Sequence, residues 1–267
     1  MNDGGGKTRA GIARCLVRIH EGGTWRQARV PVIREELLEI YLNGQRLATI
    51  ACGGRHAEEL AVGWLRAEGY LLTSRDLKGL ETGKGGRAVF VRAGAATVVK
   101  PATGETVIAA SGARTSGVRK RNPDLKPLVT GPELTSPERI FHLMEELAAA
   151  ATLHRQSRGT HGAALADAAG LLAVREDIGR HNCLDMLSGY CLLNGLDGGD
   201  KLLLRTGRVS MEIVHKIWRM GVPVVASLSV PTVRAVRIAR QAGITLIGAV
   251  RRPALTVYTH PERIGET

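Results

Sequence analysis

Between residues 36 and 52 the chain reads ELLEIYLNGQRLATIAC, with apolar and polar positions alternating on either side of Asn43-Gly44. A period of two turns one face of a strand toward a core. Asn-Gly favours the two-residue turns whose central residues need positive φ, so the stretch predicts a β-hairpin. The period then lengthens. In HAEELAVGWLRAEGY, residues Leu60, Ala61, Trp64 and Leu65 share one helical face and Gly69 supplies the stop. Short strands are expected around RAVFVRA, ATVVKP and TVIAA. Ser136-Pro137-Glu138 is a helix start, a cap followed by a first-turn proline, and Ile140, Leu143, Met144 and Leu147 form the stripe of the helix it opens.

Further on, ALADAAGLLAVRED predicts a hairpin or paired strands, and NCLDMLSGYCLL a helix that buries Cys183, Leu184, Leu187 and Cys191. KLLLRTG, VPVVASLS and ITLIGAV are short apolar runs separated by the helical stretches SMEIVHKIWRMG and TVRAVRIARQAG. Strand alternating with helix through right-handed crossovers predicts a mostly parallel sheet covered by helices on both faces. The chain is therefore expected to be α/β. Residues 1–28 form a loose arm or edge strand, 29–110 a smaller N-terminal α/β domain, and 136–267 the larger domain. Residues 111–135, rich in Gly, Pro and the basic residues Arg114, Arg119, Lys120, Arg121 and Lys126, form a long loop of the kind that is functional or mobile.

Composition narrows the chemistry. Phe, Trp and Tyr make up 3% of the residues, so the core rests on aliphatic packing and stacking platforms for single-stranded nucleic acid are scarce. The balance of 37 Lys and Arg against 25 Asp and Glu gives +12, which favours an anionic partner. No run of about 18 apolar residues exists for a membrane span, and the start lacks the apolar core of a signal peptide, so a cytoplasmic protein without a membrane partner is expected. Cys15, Cys52, Cys183 and Cys191 form neither a Cys-x-x-Cys pair nor a zinc-type spacing, so no metal site is expected. Cys183 and Cys191, eight positions apart on one helix, are roughly 12 Å apart, too far for a disulfide.

In a sheet of this kind ligands bind beyond the carboxyl ends of the parallel strands. Three strand ends carry suitable groups. KLLLR runs into Thr206-Gly207-Arg208-Val209-Ser210, VPVVA runs into Ser227 to Thr232, and ITLIGAV runs into Arg251-Arg252-Pro253. Helix N-terminal amides, the hydroxyls of Ser210, Ser229 and Thr232, and the guanidinium of Arg208 make an anion-binding edge. Helix capping alone accounts for each hydroxyl taken singly. Neither loop is a P-loop or a GxGxxG turn, so no nucleotide is named by them. VREDIGRHNC crowds Arg180, His181 and Asn182 between apolar segments. His181 suits an acid/base, a phosphate contact or a helix-start hydrogen bond. His161, flanked by small residues in GTHGAAL, admits either a ligand or tight packing. Glu212 suits a helix dipole. Asp185 and His215 are expected on solvated or half-buried helix faces.

EDIGRHN, TGRVSMEIV, the PT-x-x-A-V run at Pro231, GITLIGAVRR followed by VYTHPERI, and the N-terminal LLEIYLNG and EELAVGWLRAEGYL together resemble the FdhD family, the formate dehydrogenase accessory sulfurtransferases, over residues 35 to 264. The resemblance implies a cytidine-deaminase-like C-terminal domain without zinc ligands, a smaller N-terminal α/β domain and a homodimer. It implies sulfur accepted as a persulfide from a cysteine desulfurase and passed to molybdenum bis(molybdopterin guanine dinucleotide) before that cofactor enters formate dehydrogenase. GDP or GMP would be a partial mimic of the cofactor. By position the cofactor-binding stretch is Ala249, Val250, Arg251, Arg252, Pro253 and Ala254, with Gly207, Arg208, Ser210, Ser229, Thr232, Arg180, His181, Asn182 and His161 lining the same cleft.

The chain departs from the family in one place. Where the family carries Ser-Cys-Gly-x-Cys-Gly this chain reads SGARTSG, with Ala113 and Ser116 at the cysteine positions, and no Cys lies between Cys52 and Cys183. A sulfur carrier must be a thiolate that attacks and is then attacked. Three routes stay open: a cofactor chaperone that moves no sulfur, a different thiol with Cys52 the best placed, or replacement of the natural cysteines. A deaminase-like enzyme is the alternative of another class, but it needs a Cys/His metal set and a Glu, and the H-x-E and P-C-x-x-C signatures are absent. A nucleic-acid module draws only on net charge, and no nucleic-acid partner is expected.

Overall fold

The computed structural model describes residues 11–94, 107–108, 126–129, 131 and 134–266. It opens with an antiparallel ribbon of β1 (Ile12–Glu21) and β2 (Thr24–Ile33), turned at Gly22 and Gly23, both at positive φ. Residue 28, where the arm was expected to end, falls within β2.

A five-stranded sheet follows, in the order β5-β6-β3-β4-β7. Its members are β3 (Glu36–Leu42), β4 (Gln45–Cys52), β5 (Leu77–Thr82), β6 (Ala88–Ala93) and β7 (Val107–Ile108). The expected hairpin is β3 and β4, with Asn43 at φ 48° and Gly44 at φ 83°, the positive pair that its turn requires. Helix α1 (Ala57–Glu68) ends at Gly69 and packs Leu60, Leu65 and Trp64 on the core side of the sheet with Leu38, Ile40, Ile50, Val89 and Val91. β5 has no fully buried position, so no apolar alternation announces it. The expected strand at ATVVKP lies outside the described residues.

The second unit begins with α2 (Pro137–Ala150), capped by the Ser136 hydroxyl on the Arg139 N–H, and the short α3 (Thr152–Ser157). Then come β8 (His161–Asp167), β9 (Gly170–Asp177), α4 (Arg180–Leu193), β10 (Leu202–Arg205), α5 (Met211–Met220), β11 (Val224–Ser227), α6 (Val233–Gln241), β12 (Thr245–Arg251) and β13 (Ala254–Thr259). The six-stranded sheet runs β13-β12-β11-β10-β8-β9. Only the β10–β11 and β11–β12 pairings are parallel; the other three are antiparallel. The sheet is therefore mixed rather than mostly parallel. The physical reason is local: β8 to β9 and β12 to β13 are joined by two-residue connections, which can only reverse the chain.

Helices cover both faces, as expected. α2 lies on one face, packed on Ala164, Leu204, Ala226 and Ile247, and α4, α5 and α6 lie on the other over Leu165, Leu203, Val225 and Leu246. α4 is the helix that joins the two units. Eleven of its fourteen residues are buried, with Cys183, Leu184, Leu187 and Cys191 in the larger core and Met186 and Leu192 in the smaller one. It meets α1 at two glycines. A Cβ on Gly63 would stand 1.7 Å from the Asp185 carbonyl oxygen, and one on Gly189 would stand 1.9 Å from that of Glu59. Because α4 is wedged between the two units, Asp185 is not on a solvated face: it is 2% exposed and ion-paired with Lys216.

Candidate functional site

The segment EDIGRHN spans the end of β9 and the start of α4, and its polar groups are mostly spent inside the protein. Glu176 accepts the Leu153 N–H at 2.9 Å and the His154 N–H at 2.7 Å, which caps α3. Asp177 Oδ2 accepts the Gly53 N–H at 2.7 Å, while Oδ1 accepts the Gly179 N–H at 2.8 Å and the Asn182 Nδ2 at 2.6 Å. Asn182 Nδ2 also donates to the Ala51 carbonyl at 2.9 Å. Asn182, expected in the ligand cleft, is thus a buried staple between the two units. Burial raises the Asp177 carboxyl above its ordinary range, against the three donors that lower it.

Cys52 adjoins this staple. It is 2% exposed, and burial, with Asp177 adding to it, pushes the thiol up to about 12. A cavity of about 260 Å³ lies beside it, lined among others by Arg34, Glu36, Gly53, Gly54 and Arg87. Burial also pushes the Cys183 and Cys191 thiols up, and Cys15 on β1 is exposed. Ala113 and Ser116 lie outside the described residues.

The loops after β10, β11 and β12 do meet at one edge. Val209 and Pro231 form a parallel bridge, the Thr232 N–H donates to the Val209 carbonyl at 3.0 Å, and the Ala249 N–H donates to the Ser229 carbonyl at 3.2 Å. Thr232 caps α6 through the Ala235 N–H at 3.2 Å. Ser229 is tied by its own N–H to the Ser227 hydroxyl, which donates to the Gly207 carbonyl at 2.9 Å. Ser210 occupies the N-cap of α5, yet its hydroxyl makes no cap bond and is buried without a partner. Arg208, Arg251, Pro253 and Ala254 are exposed, and Ala249 is at φ 52°. Two residues of the expected set are placed elsewhere. Val250 is 1% exposed and belongs to the core under α2. Arg252 turns back onto α2, bonded to Glu138 at 2.7 Å and Glu145 at 3.2 Å and lying over the Phe141 ring.

Next to this edge lies a group of arginine and histidine side chains of which the sequence pointed to only a part. Arg205, the last residue of β10, is 1% exposed; its Nε donates to the Gly207 carbonyl at 3.0 Å, and its Nη1 has no partner. Burial pulls its guanidinium down to about 10, and Arg180 pulls in the same direction. A Cβ on Gly207 would stand 3.2 Å from Arg205 Nη2, 3.3 Å from Arg180 Cβ and 3.4 Å from His161 Nδ1. Burial lowers His161, and Arg205 and Arg180 lower it further. His181 is 7% exposed, with neither ring nitrogen in a well-formed hydrogen bond; its Nε2 is 3.5 Å from Glu212. Burial lowers it too, although Glu212 acts the other way. Arg205 was the residue missed. The available signal was a charge closing an otherwise apolar strand, which reads equally well as a strand boundary. Among the described residues no group of three or more His, Cys, Asp or Glu side chains is placed to hold a metal ion, and no helix is long and apolar enough to cross a membrane.

These features define a mixed α/β protein whose three-layer unit carries a cation-lined loop edge and is pinned to a smaller unit. The model of the FdhD/NarQ family matches residues 33–265. The sulfur carrier protein FdhD of Bacillus subtilis (strain 168) is 34% identical over 249 residues, covering 92% of this chain and 95% of that protein. That of Staphylococcus haemolyticus (strain JCSC1435) is 32% identical over 250 residues, covering 93% and 95%. The chain belongs to the FdhD/NarQ family. A solved structure of a candidate formate dehydrogenase accessory protein from Desulfotalea psychrophila shares the fold, with a TM-score of 0.78 at 23% identity over 96% of this chain and 100% of that one.

Proposed function

We propose that this chain is a cytoplasmic maturation factor for formate dehydrogenase that holds molybdenum bis(molybdopterin guanine dinucleotide), its three-layer unit being a cytidine-deaminase-like domain without zinc ligands. The observation that carries the reading is the meeting of the three strand-end loops, with exposed Arg208 and Arg251 at the edge and the incompletely bonded guanidinium groups of Arg205 and Arg180 close by. Two pyrophosphates give such a cargo four anionic phosphoryl groups, which fixed guanidinium donors and helix N-terminal amides recognise. The partners of this reading are formate dehydrogenase, a cysteine desulfurase and a second copy of the chain.

Sulfur transfer is the step this chain is poorly equipped for. Relatives are named sulfur carriers, but here Ala113 and Ser116 replace the loop cysteines. Cys52 is buried with a thiol pushed up to about 12, so almost none of it is the nucleophilic thiolate at neutral pH. The function supported best is therefore cofactor binding and delivery without a thiol relay.

Calorimetric titration with GDP tests the binding half. Arg208→Ala with Arg251→Ala is expected to weaken GDP roughly tenfold or more, the loss of charge-assisted contacts. Equal affinity in the native protein and the double variant would overturn the assignment of the edge.

A further inference from the structure

β1 and β2 form a sheet of their own, each ten residues long and paired only with the other. At the antiparallel rise per residue the ribbon is about 34 Å long. It meets the body where β2 touches α3, with Ile33 beside Gly159, and its residues enter none of the buried cores of either unit. A two-stranded sheet buries little apolar area and is marginal without a further partner. Residues directly opposite one another in an antiparallel pair share a face. One face therefore carries Arg14, Leu16, Arg18 and His20 of β1 with Trp25 and Arg29 of β2, and all six are exposed, Leu16 at 63% and Trp25 at 61%. The Arg18 guanidinium lies over the Trp25 ring at 4.9 Å. Glu21, the ribbon's one carboxylate, stands on the other face beside Arg26 at 3.6 Å. Among the described residues no ion pair holds Arg14, Arg18 or Arg29.

We propose that this face of the ribbon is a docking arm for an acidic segment of a partner protein. Three guanidinium groups without a carboxylate among them call for negative charge on whatever covers them. A second copy of the same face would set arginine against arginine, so the face is not self-complementary. A two-stranded ribbon also fits the major groove of DNA. Two features favour protein. Leu16 lies between Arg14 and Arg18 along β1 and opposite Arg29, so the centre of the charged face is apolar. The Trp25 ring is already covered by Arg18 and is not a free platform for a base. Arginine and tryptophan around an apolar centre are the residues that dominate protein interfaces. The arm uses none of the residues of the loop edge, and its test does not depend on the cofactor reading.

The test is fluorescence anisotropy on the full chain with two labelled probes, a Glu-rich peptide of about 12 residues carrying one Leu and one Phe, and a short DNA duplex. Arg14→Gln with Arg18→Gln and Arg29→Gln should weaken the peptide roughly tenfold or more and flatten its salt dependence. Arg75→Gln with Lys78→Gln and Lys84→Gln removes the same charge from exposed positions around β5 and should weaken it less than about threefold. Leu16→Ala should weaken the peptide about threefold with the salt dependence unchanged. All seven positions are exposed, so these variants should melt as the native protein does. Leu16→Ala decides the matter if the ribbon triple variant melts lower. Equal weakening by the two triple variants would overturn the proposal, because the peptide would then read net charge alone, and so would a native protein that does not hold the peptide. A loss with the ribbon arginines but none with Leu16→Ala, or a duplex held more tightly than the peptide by the same arginines, would overturn the acidic protein segment as occupant and make the face a polyanion site.

Discussion

Asp177 accepts the Gly53 N–H at 2.7 Å across 124 positions of chain, and through that bond the loop after β4 is fixed to the start of α4. The same carboxylate holds Gly179 and Asn182, and Asn182 in turn grips the Ala51 carbonyl. The EDIGRHN segment therefore acts first as a joint. Asp177→Ala would leave two buried backbone N–H groups and one amide hydrogen without acceptors. A loss of about 3 kcal/mol is expected in urea unfolding, where each stranded buried donor costs on the order of 1 kcal/mol or more. A change within about 0.5 kcal/mol would show that the joint does not hold the units together.

The thiols sort by burial. Cys15 is exposed, while Cys52, Cys183 and Cys191 are buried with their thiols pushed up. A maleimide should therefore label the folded protein rapidly at one position, and Cys15→Ser should abolish that fast label. The remaining three should react only after unfolding. Fast modification of Cys52 in the folded protein would contradict the burial on which its exclusion as a sulfur carrier rests.

Acid should destabilise the protein through its histidines. His161, His181 and His215 are lowered below 6.5, burial being the first cause in each. A group with a depressed folded value gives stability that is complete above its unfolded value and is lost as pH falls through the folded one. Asp177 and Asp185, raised above 3.8 by burial, act in the opposite sense: their contribution is complete below 3.8 and is lost as pH rises through their folded values. Between about pH 7.5 and about pH 5.5 the native melting temperature should fall, and His161→Gln with His181→Gln should reduce the fall. An identical decline in native and variant proteins would remove these two histidines from the account.

Local signals were legible in the sequence where one residue type decides one geometry. Asn43-Gly44 specified a turn, Ser136-Pro137 a helix start, and the three apolar runs gave the parallel centre of the larger sheet. What was not legible depends on partners distant in the chain. Asn182 looked like a cleft residue because its acceptor, Ala51, is 131 positions away. Asp185 looked solvated because a helix buried on nearly every side has no polar stripe to betray its environment. Arg252 looked free because its partners Glu138 and Glu145 come from α2, more than 100 positions earlier in the chain. Arg205 escaped notice because what matters about it is a missing partner, and a sequence does not display missing partners.

The central claim is that this chain keeps the cofactor edge and has no buried thiol acting as a sulfur relay. The most direct test incubates the Cys15→Ser protein with a cysteine desulfurase and cysteine carrying radiolabelled sulfur, then measures reductant-labile label on the protein alongside its GDP affinity. The account predicts no label above background while GDP still binds. Label that appears on this protein and vanishes with Cys52→Ala would contradict it, because the persulfide would then form on a thiol that the structure holds buried and protonated.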